Sequence, residues 1–197
     1  MAFIGLKVPH ETARLLGQVR VEGDKVDLSE MHITVLYLGS ALPIETIAQA
    51  TQVAYEVTSK TLPFLVGTEL VTSFPANPDG IPLIAKIESD PLKALRKALT
   101  AAFDEAGVPY DKKYPDYKPH VTLAYMTPEE GNGPLKPPPD QTIPHLAWGA
   151  HEMVLWGGDQ GDEKLTVLFP FLAPGSSKTA NYRALVRMAR LKGVSPW

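Results

Sequence analysis

Two six-residue stretches, HITVLY at residues 32–37 and HVTLAY at residues 120–125, decide the fold of this chain. Both follow the pattern His-apolar-Thr-apolar-apolar-Tyr. β-Branched and apolar residues in such short runs are typical of buried strands. Since alternate side chains of a strand share a face, we expect each His and Thr on one face and the Tyr in the core. Two such strands in one chain predict a cleft lined by two His/Thr pairs.

The length and composition are those of one globular domain with a hydrophobic core. The chain has 197 residues, 44% of them hydrophobic. We assign residues 1–172 to this domain and residues 173–197 to an appendage. Because there is no cysteine, a disulfide framework and a thiolate metal site or nucleophile are excluded. No signal-like segment opens the chain and no apolar run has the length of a membrane span, so we expect a cytoplasmic protein.

The charge is distributed unevenly along the chain. The formal net charge is −3, yet residues 173–197 contain five basic and no acidic residues, so the rest carries −8. Phosphate contacts supply most of the affinity for long nucleic acid, and an acidic domain binds it poorly. We therefore expect no long nucleic acid as a partner, and a small nucleotide in a local pocket stays compatible with this charge. In the appendage we predict a flexible linker over 173–177, then a basic helix from Asn181 to about Lys192.

Strand and helix patterns alternate along the chain. This order fits an α+β fold of two lobes, each of which contributes one motif strand to a shared cleft. The predicted helices cover residues 12–19 and 43–60, and a third helix is capped by Asp90, with Pro91 at its first position, and ended by Gly107. The predicted strands cover residues 3–8, 31–38, 62–74, 83–88, 120–126, 152–156 and 165–171, and a long loop covers 127–147.

Two histidine/threonine pairs can carry out acid–base chemistry at a phosphodiester. One imidazole removes a proton from an attacking hydroxyl while the other protonates the leaving oxygen. Threonine hydroxyls donate hydrogen bonds to the charge that develops on the phosphate oxygens. If the substrate is a ribonucleotide, its own 2′-hydroxyl can be the nucleophile. No protein nucleophile, metal or cofactor is then required.

The remaining histidines do not have the spacing of metal ligands. The motifs contain neither His-x-His nor His-Glu-x-x-His, and cysteine ligands are absent from the chain. We interpret His145 and His151 as ordinary loop or strand-start residues and His10 as a turn residue. We therefore predict chemistry that is independent of metal.

The two His-x-Thr-apolar motifs, with this spacing and this order of strands and helices, resemble the 2H phosphoesterase superfamily. That group includes 2′,5′-RNA-ligase-like proteins, cyclic nucleotide phosphodiesterases and related phage and viral enzymes. The resemblance covers roughly residues 1–172, and Lys118-Pro119 before His120 matches the ligase-like branch. It implies a two-lobed fold of mostly antiparallel sheets with pseudo-twofold symmetry around a central cleft, and helices on the outer faces.

The resemblance also implies the roles of the motif residues. His32 and His120 become the acid–base pair, and Thr34 and Thr122 hold the phosphate. Which histidine acts as the acid stays open, because it depends on the orientation of the substrate. Substrates are expected to carry a phosphodiester near a 2′ oxygen, and catalysis is expected to need no metal.

A tyrosine- and lysine-rich segment precedes the second motif and is a candidate binding surface. Tyr110, Tyr114, Tyr117 and Lys118 suit base stacking and phosphate attraction. The alternative is a solvated loop whose tyrosines pack on the domain. Trp148 and Trp156 are interpreted as core residues, with lining of the cleft as the alternative.

Three functions remain open at this point. The first is a monomeric phosphodiesterase that cleaves small 2′,5′-linked, 3′,5′-linked or cyclic oligonucleotides. One subclass of such enzymes is viral and destroys cyclic oligonucleotide immune signals, such as those of CBASS. The second is RNA end processing, by opening of 2′,3′-cyclic phosphates or by 2′,5′ ligation. The third is a non-catalytic nucleotide-binding or scaffold module. Intact His and Thr in both motifs favour catalysis, because a binding module needs no acid–base pair.

Overall fold

The structure is a computed structural model that describes residues 1–127, 136–157 and 166–172. The helices are α1 (His10–Gly17), α2 (Ile44–Thr58) and α3 (Asp90–Ala106), and a 3₁₀ turn spans Leu28–Glu30. The strands are β1 (Ala2–Lys7), β2 (Asp24–Lys25), β3 (His32–Gly39), β4 (Phe64–Ser73), β5 (Ile81–Glu88), β6 (His120–Met126), β7 (Gln141–Thr142), β8 (Ala147–Ala150), β9 (Glu152–Trp156) and β10 (Thr166–Pro170). Each helix and strand predicted within these residues forms, with ends shifted by at most a few residues.

The strands form two sheets whose described pairings are all antiparallel. One sheet has the order β10-β9-β1-β3, and the other has the order β2-β6-β5-β4-β7, with β8 also paired to β4. The motif strands β3 and β6 belong to different sheets and contact each other. α2 packs on β9 and β10, and α3 packs on β3 and β4. The predicted α+β fold with mostly antiparallel sheets is confirmed.

The pairing of β1 with β3 is repeated by the pairing of β5 with β6. In each pair a lysine lies opposite the motif histidine, and the residue two positions before that lysine lies opposite the motif threonine. In each pair the motif strand then has one extra residue directly after the threonine, which is a β-bulge. This shared register is what pseudo-twofold symmetry between the two lobes predicts. The corresponding partners are Lys7↔His32 and Lys86↔His120, Gly5↔Thr34 and Ile84↔Thr122, Ile4↔Leu36 and Leu83↔Ala124, and Phe3↔Tyr37 and Pro82↔Tyr125.

The N-terminus of α3 differs from the prediction by one residue. Ser89, not Asp90, is the N-cap, and its hydroxyl accepts a hydrogen bond from the backbone N–H of Leu92 at 3.3 Å. The same hydroxyl donates to the carbonyl oxygen of Leu65 in β4 at 2.8 Å. Both residue types cap helices well, so this tertiary bond to the sheet decides between them. The C-terminus is as predicted, with Gly107 in the left-handed conformation (φ 67°).

The predicted loop over 127–147 and the predicted turn at His10 are also corrected. Residues 141–142 form β7 and residues 147–150 form β8, and both strands pair with β4. β7 has only two residues, too few to produce a hydrophobic period in the sequence. This strand is therefore defined only by its pairing with β4. His10 is the first residue of α1 rather than part of an isolated turn.

One hydrophobic core connects both sheets and the helices. It contains fully buried side chains from β1, β3, α2, α3, β6, β9 and β10, among them Ile4, Leu36, Ile47, Phe103, Val121, Leu155 and Phe169. This core packs behind β3 and the first half of β6, while Ala124 and Met126 of β6 pack with Ile81 and Leu83 in a second, smaller cluster. In the described part of the chain no helix is long and apolar enough to cross a membrane. The predicted linker and basic helix of residues 173–197 lie outside the described residues.

Candidate active site

The two motif histidines are oriented by the same local hydrogen bond. Nδ1 of His32 lies 2.6 Å from the carbonyl oxygen of Glu30, and Nδ1 of His120 lies 2.8 Å from the carbonyl oxygen of Lys118. A carbonyl oxygen can only accept, so Nδ1 donates in both rings. In the neutral form, Nε2 of each ring is then the basic nitrogen. Both imidazoles are thus prepared for proton transfer through the same atom.

An aromatic layer supports His32. Its ring stacks on Phe3 at 4.7 Å between centroids and lies 5.5 Å from the Trp156 ring, and Phe3 and Trp156 stack on each other at 5.0 Å. Gly5 leaves the space for this layer, because a Cβ there would lie 3.1 Å from Cζ3 of Trp156 and 2.5 Å from the carbonyl oxygen of Ile33. Trp156 therefore borders the site, which was the alternative to the predicted core packing.

His120 has a different environment. Its half-buried ring meets the edge of Phe74, with 4.7 Å between centroids and 84° between planes. Burial lowers the pKa of His120 below its usual 6.5, the hydrogen bond to Lys118 raises it, and the charge of nearby His32 lowers it further. The two rings belong to strands that contact each other, β3 and β6. His120 is thus more readily neutral than its ordinary pKa implies.

The threonines lie beside the histidines with unengaged hydroxyls. Thr34 and Thr122 are half-buried, and each lies two residues after its histidine on the same face of the strand. Within the described residues neither hydroxyl makes a hydrogen bond to the protein. Both hydroxyls are available as donors to an anionic ligand in the cleft, by which we mean the space that the two His/Thr faces border.

The prediction that Tyr37 and Tyr125 lie in the core is wrong. The bulges add Val35 to β3 and Leu123 to β6, and each extra residue moves the following side chains to the other face. Both tyrosines are half-exposed on the face of the His/Thr pair and are absent from the hydrophobic core. The two consecutive apolar residues in each motif, which interrupt a period of two, are the sequence signal for this bulge.

The candidate binding segment has packed and exposed members. The Tyr110 ring packs edge-on against Phe103, and its hydroxyl donates to Asp104 at 3.1 Å. The Tyr117 hydroxyl donates to the carbonyl oxygen of Thr34 at 3.0 Å, and burial raises the pKa of Tyr117. Tyr110 and Tyr117 thus adopt the packed alternative, with Arg96 5.7 Å from both ring centroids.

The other members of the segment face solvent. Tyr114 is 66% exposed, and the side chain of Lys118 is exposed while its carbonyl oxygen orients His120. Contact of any member of this segment with a substrate stays a prediction. Trp148 is a core residue, as predicted.

The remaining histidines have other partners in the sheets, and neither motif histidine lines a cavity described below. His145 is exposed, and its Nδ1 donates a hydrogen bond to the carbonyl oxygen of Thr68 at 2.7 Å. His151 is exposed beside Gly149. Among the described residues, no group of three His, Asp or Glu side chains could hold a metal ion. Two cavities of about 520 Å³ each are lined without either motif histidine.

Comparisons with known proteins agree with the fold and the motifs. The family model of the 2′-5′ RNA ligase superfamily matches residues 8–162. The protein TT0787 of Thermus thermophilus has a similar crystal structure, with a TM-score of 0.63 and 20% identity over 85% of this chain and 93% of that chain. E. coli LigT complexed with 3′-AMP has a TM-score of 0.63 and 14% identity over 87% of this chain and 98% of that chain.

A comparison with curated protein sequences finds no match. At 20% identity or less, the solved structures establish the shared fold alone. The family match covers most of the chain and includes both His-x-Thr strands. The chain therefore belongs to the 2′-5′ RNA ligase superfamily, the 2H phosphoesterases.

Proposed function

We propose that this protein is a metal-independent phosphodiesterase that cleaves small 2′,5′- or 3′,5′-linked or cyclic oligonucleotides. The observation that carries the proposal is the matched orientation of His32 and His120. Both donate Nδ1–H to a carbonyl oxygen two residues earlier, and both keep Nε2 for proton transfer. Beside each lies a threonine hydroxyl that has no hydrogen-bond partner among the residues that the structure describes. A pure binding module needs neither property.

In the proposed reaction, the two histidines share the proton transfers. In this proposal His120 accepts the proton of the attacking substrate hydroxyl through Nε2, and His32 donates a proton to the leaving oxygen. The lowered pKa of His120 suits the role of the base. Thr34 and Thr122 donate hydrogen bonds to the non-bridging oxygens, where negative charge develops.

The bonds that change follow from a substrate nucleophile. For a 3′,5′ linkage the 2′-oxygen attacks phosphorus and the bond from phosphorus to the 5′-oxygen breaks. The products are a 2′,3′-cyclic phosphate and a free 5′-hydroxyl. After this step, one histidine has gained a proton and the other has lost one. The pair can then catalyse either the reverse reaction or hydrolysis of the cyclic phosphate. For a 2′,5′ linkage the 3′-hydroxyl attacks in the mirror arrangement.

Small nucleotides are the substrates that the molecule favours. The domain of residues 1–172 carries a net charge of −8, which disfavours long nucleic acid. Tyr37 and Tyr125 place two half-exposed rings on the His/Thr faces, where bases can stack. LigT, which shares the fold, has been crystallised with 3′-AMP, ATP and NADP⁺. Cyclic oligonucleotide immune signals are the proposed subclass, and the monomeric state and cytoplasmic location stay predictions.

A substrate panel tests the proposal. Wild type is incubated with cyclic dinucleotides, cyclic trinucleotides, 2′,5′-oligoadenylate and 2′,3′-cyclic mononucleotides, and products are identified by mass spectrometry. We expect His32→Ala and His120→Ala each to lower turnover by at least about 100-fold, the usual contribution of a positioned acid or base. His145→Ala is the control variant and should retain full activity, because this histidine hydrogen-bonds to Thr68 and has no role in the proposed reaction.

The outcome of the panel separates the candidate functions. Cleavage of only 2′,3′-cyclic phosphates, or joining of RNA ends, would replace the proposal by RNA end processing. Near-wild-type turnover by either folded motif variant would overturn the acid–base assignment. Binding of nucleotides with no turnover of any substrate would favour the non-catalytic module.

A further inference from the structure

Two lysines occupy equivalent positions beside the two motif histidines. Lys7 of β1 lies directly opposite His32, and Lys86 of β5 lies directly opposite His120. Residues opposite each other in an antiparallel pair lie on the same face, with Cβ atoms about 4.5–5.5 Å apart. Each lysine therefore starts from the His/Thr face of its sheet. Its four-carbon stem can carry the ammonium to a group next to the reacting phosphate.

The two lysines differ in their charge partners. Nζ of Lys86 lies 2.6 Å from Oε2 of Glu69 in β4, so its charge is locally compensated. Lys7 is exposed and makes no ion pair within the described residues. The neighbouring strand β9 begins with Glu152, yet no ion pair joins that carboxylate to Lys7. Among the residues that the structure describes, Lys86 is therefore ion-paired and Lys7 is not, and Lys7 lies on the side of His32.

We infer that Lys7 forms a subsite for a second phosphate, on the β1 side of the cleft. This inference rests on the proposed function, since it places that phosphate next to the one held by the histidines and threonines. A mononucleoside 2′,3′-cyclic phosphate has no group for this subsite. The substrate class is therefore a nucleotide with at least two phosphates, as in an oligonucleotide or a cyclic oligonucleotide.

The negative charge of the domain limits phosphate binding to places where a local cation is present. In a domain with a net charge of −8, an anion is repelled unless a local cation offsets the field. On the β5 side, the Glu69 carboxylate offsets the charge of Lys86. On the β1 side, the charge of Lys7 has no such ion pair among the described residues. The proposed subsite therefore orients the substrate, with its additional phosphate beside His32.

Calorimetric binding of two non-cleavable probes tests the subsite without requiring activity. The probes are 3′-AMP and adenosine 3′,5′-bisphosphate, which differ by one phosphate. Either phosphate of the bisphosphate can occupy the centre, so one of its orientations places the other on the β1 side. We expect wild type to bind the bisphosphate about five- to tenfold more tightly than 3′-AMP, as an added ion-paired phosphate contact allows.

Lys7→Gln and Lys86→Gln are the matched variants. Lys7→Gln should abolish the preference for the bisphosphate and leave the affinity for 3′-AMP within about twofold, because only the second phosphate uses this charge. Lys86→Gln should retain the preference. Glu69→Gln, which removes the carboxylate from Lys86, should raise the affinity for the bisphosphate further.

Each result distinguishes the subsite from the proposed function. An unchanged preference in Lys7→Gln, or the same loss in Lys86→Gln, would overturn the subsite while nucleotide binding itself remained. If wild type binds neither probe at low salt, the proposed function fails together with the subsite. Loss of the preference in Lys7→Gln alone supports the subsite, and higher salt should reduce it in parallel.

Discussion

Removal of one hydroxyl, in Tyr117→Phe, is expected to loosen the connection between the two motif strands. The Tyr117 hydroxyl donates to the carbonyl oxygen of Thr34 at 3.0 Å, although the two residues are 83 positions apart. Tyr117 also lies three residues before His120, next to the carbonyl group that orients that ring. The bond therefore links the first His/Thr strand to the segment that positions the second histidine.

The magnitude follows from the partial burial of this bond, which places it in the lower part of the range for buried hydrogen bonds. Loss of a buried hydrogen bond with one partner left unsatisfied costs about 1–3 kcal/mol. For a domain of this size, 1 kcal/mol corresponds to about 2–4 °C in the melting temperature. We expect Tyr117→Phe to lower the free energy of unfolding by about 1–2 kcal/mol, because the ring and its packing against Arg96 remain.

Urea unfolding and steady-state kinetics measure the two consequences. Tyr110→Phe is the matched control, since its hydroxyl donates to the exposed carboxylate of Asp104 and not to a motif strand. Its loss should change the free energy of unfolding by less than about 0.5 kcal/mol. In Tyr117→Phe, kcat should fall several-fold with little change in KM, because positioning and not binding is affected. Equal effects of the two variants on unfolding and on kcat would refute the connection.

Three further predictions concern the site and the appendage. Because the pKa of His120 is below 6.5 in the folded state, the unfolded chain binds its proton more readily. Stability should thus be retained above about pH 6.5 and lost as the pH falls through the folded-state pKa. Denaturant unfolding against pH should show a smaller loss for His120→Gln, and NMR titration of His32→Gln should show a raised pKa for His120. Activity should survive chelation and desalting, and restoration by a single divalent ion after its loss would contradict metal independence. A chain ending at Leu172 should fold and keep its turnover of a small substrate, and a folded but inactive product would show that residues 173–197 complete the site.

Local patterns in the sequence are sufficient for most of the fold and for the four motif residues. The helices show a period near 3.6 and the strands a period of two, and neither depends on distant residues. The positions of His and Thr two residues apart place both on one face of the strand, before the bulge begins. The bulge itself is local too, since the apolar doublet precedes the tyrosine in both motifs.

The surroundings of the motif residues depend on contacts between distant parts of the chain. The aromatic layer on His32 joins β1 to β9, and the bond from Tyr117 to Thr34 joins the two lobes. No sequence period reports such pairs, because their geometry arises only when the sheets pack. The same is true of the two lysines. Each is an ordinary charge in the sequence. Only the register of the strands places them opposite His32 and His120, and only the packing of β4 on β5 gives Lys86 its ion pair with Glu69.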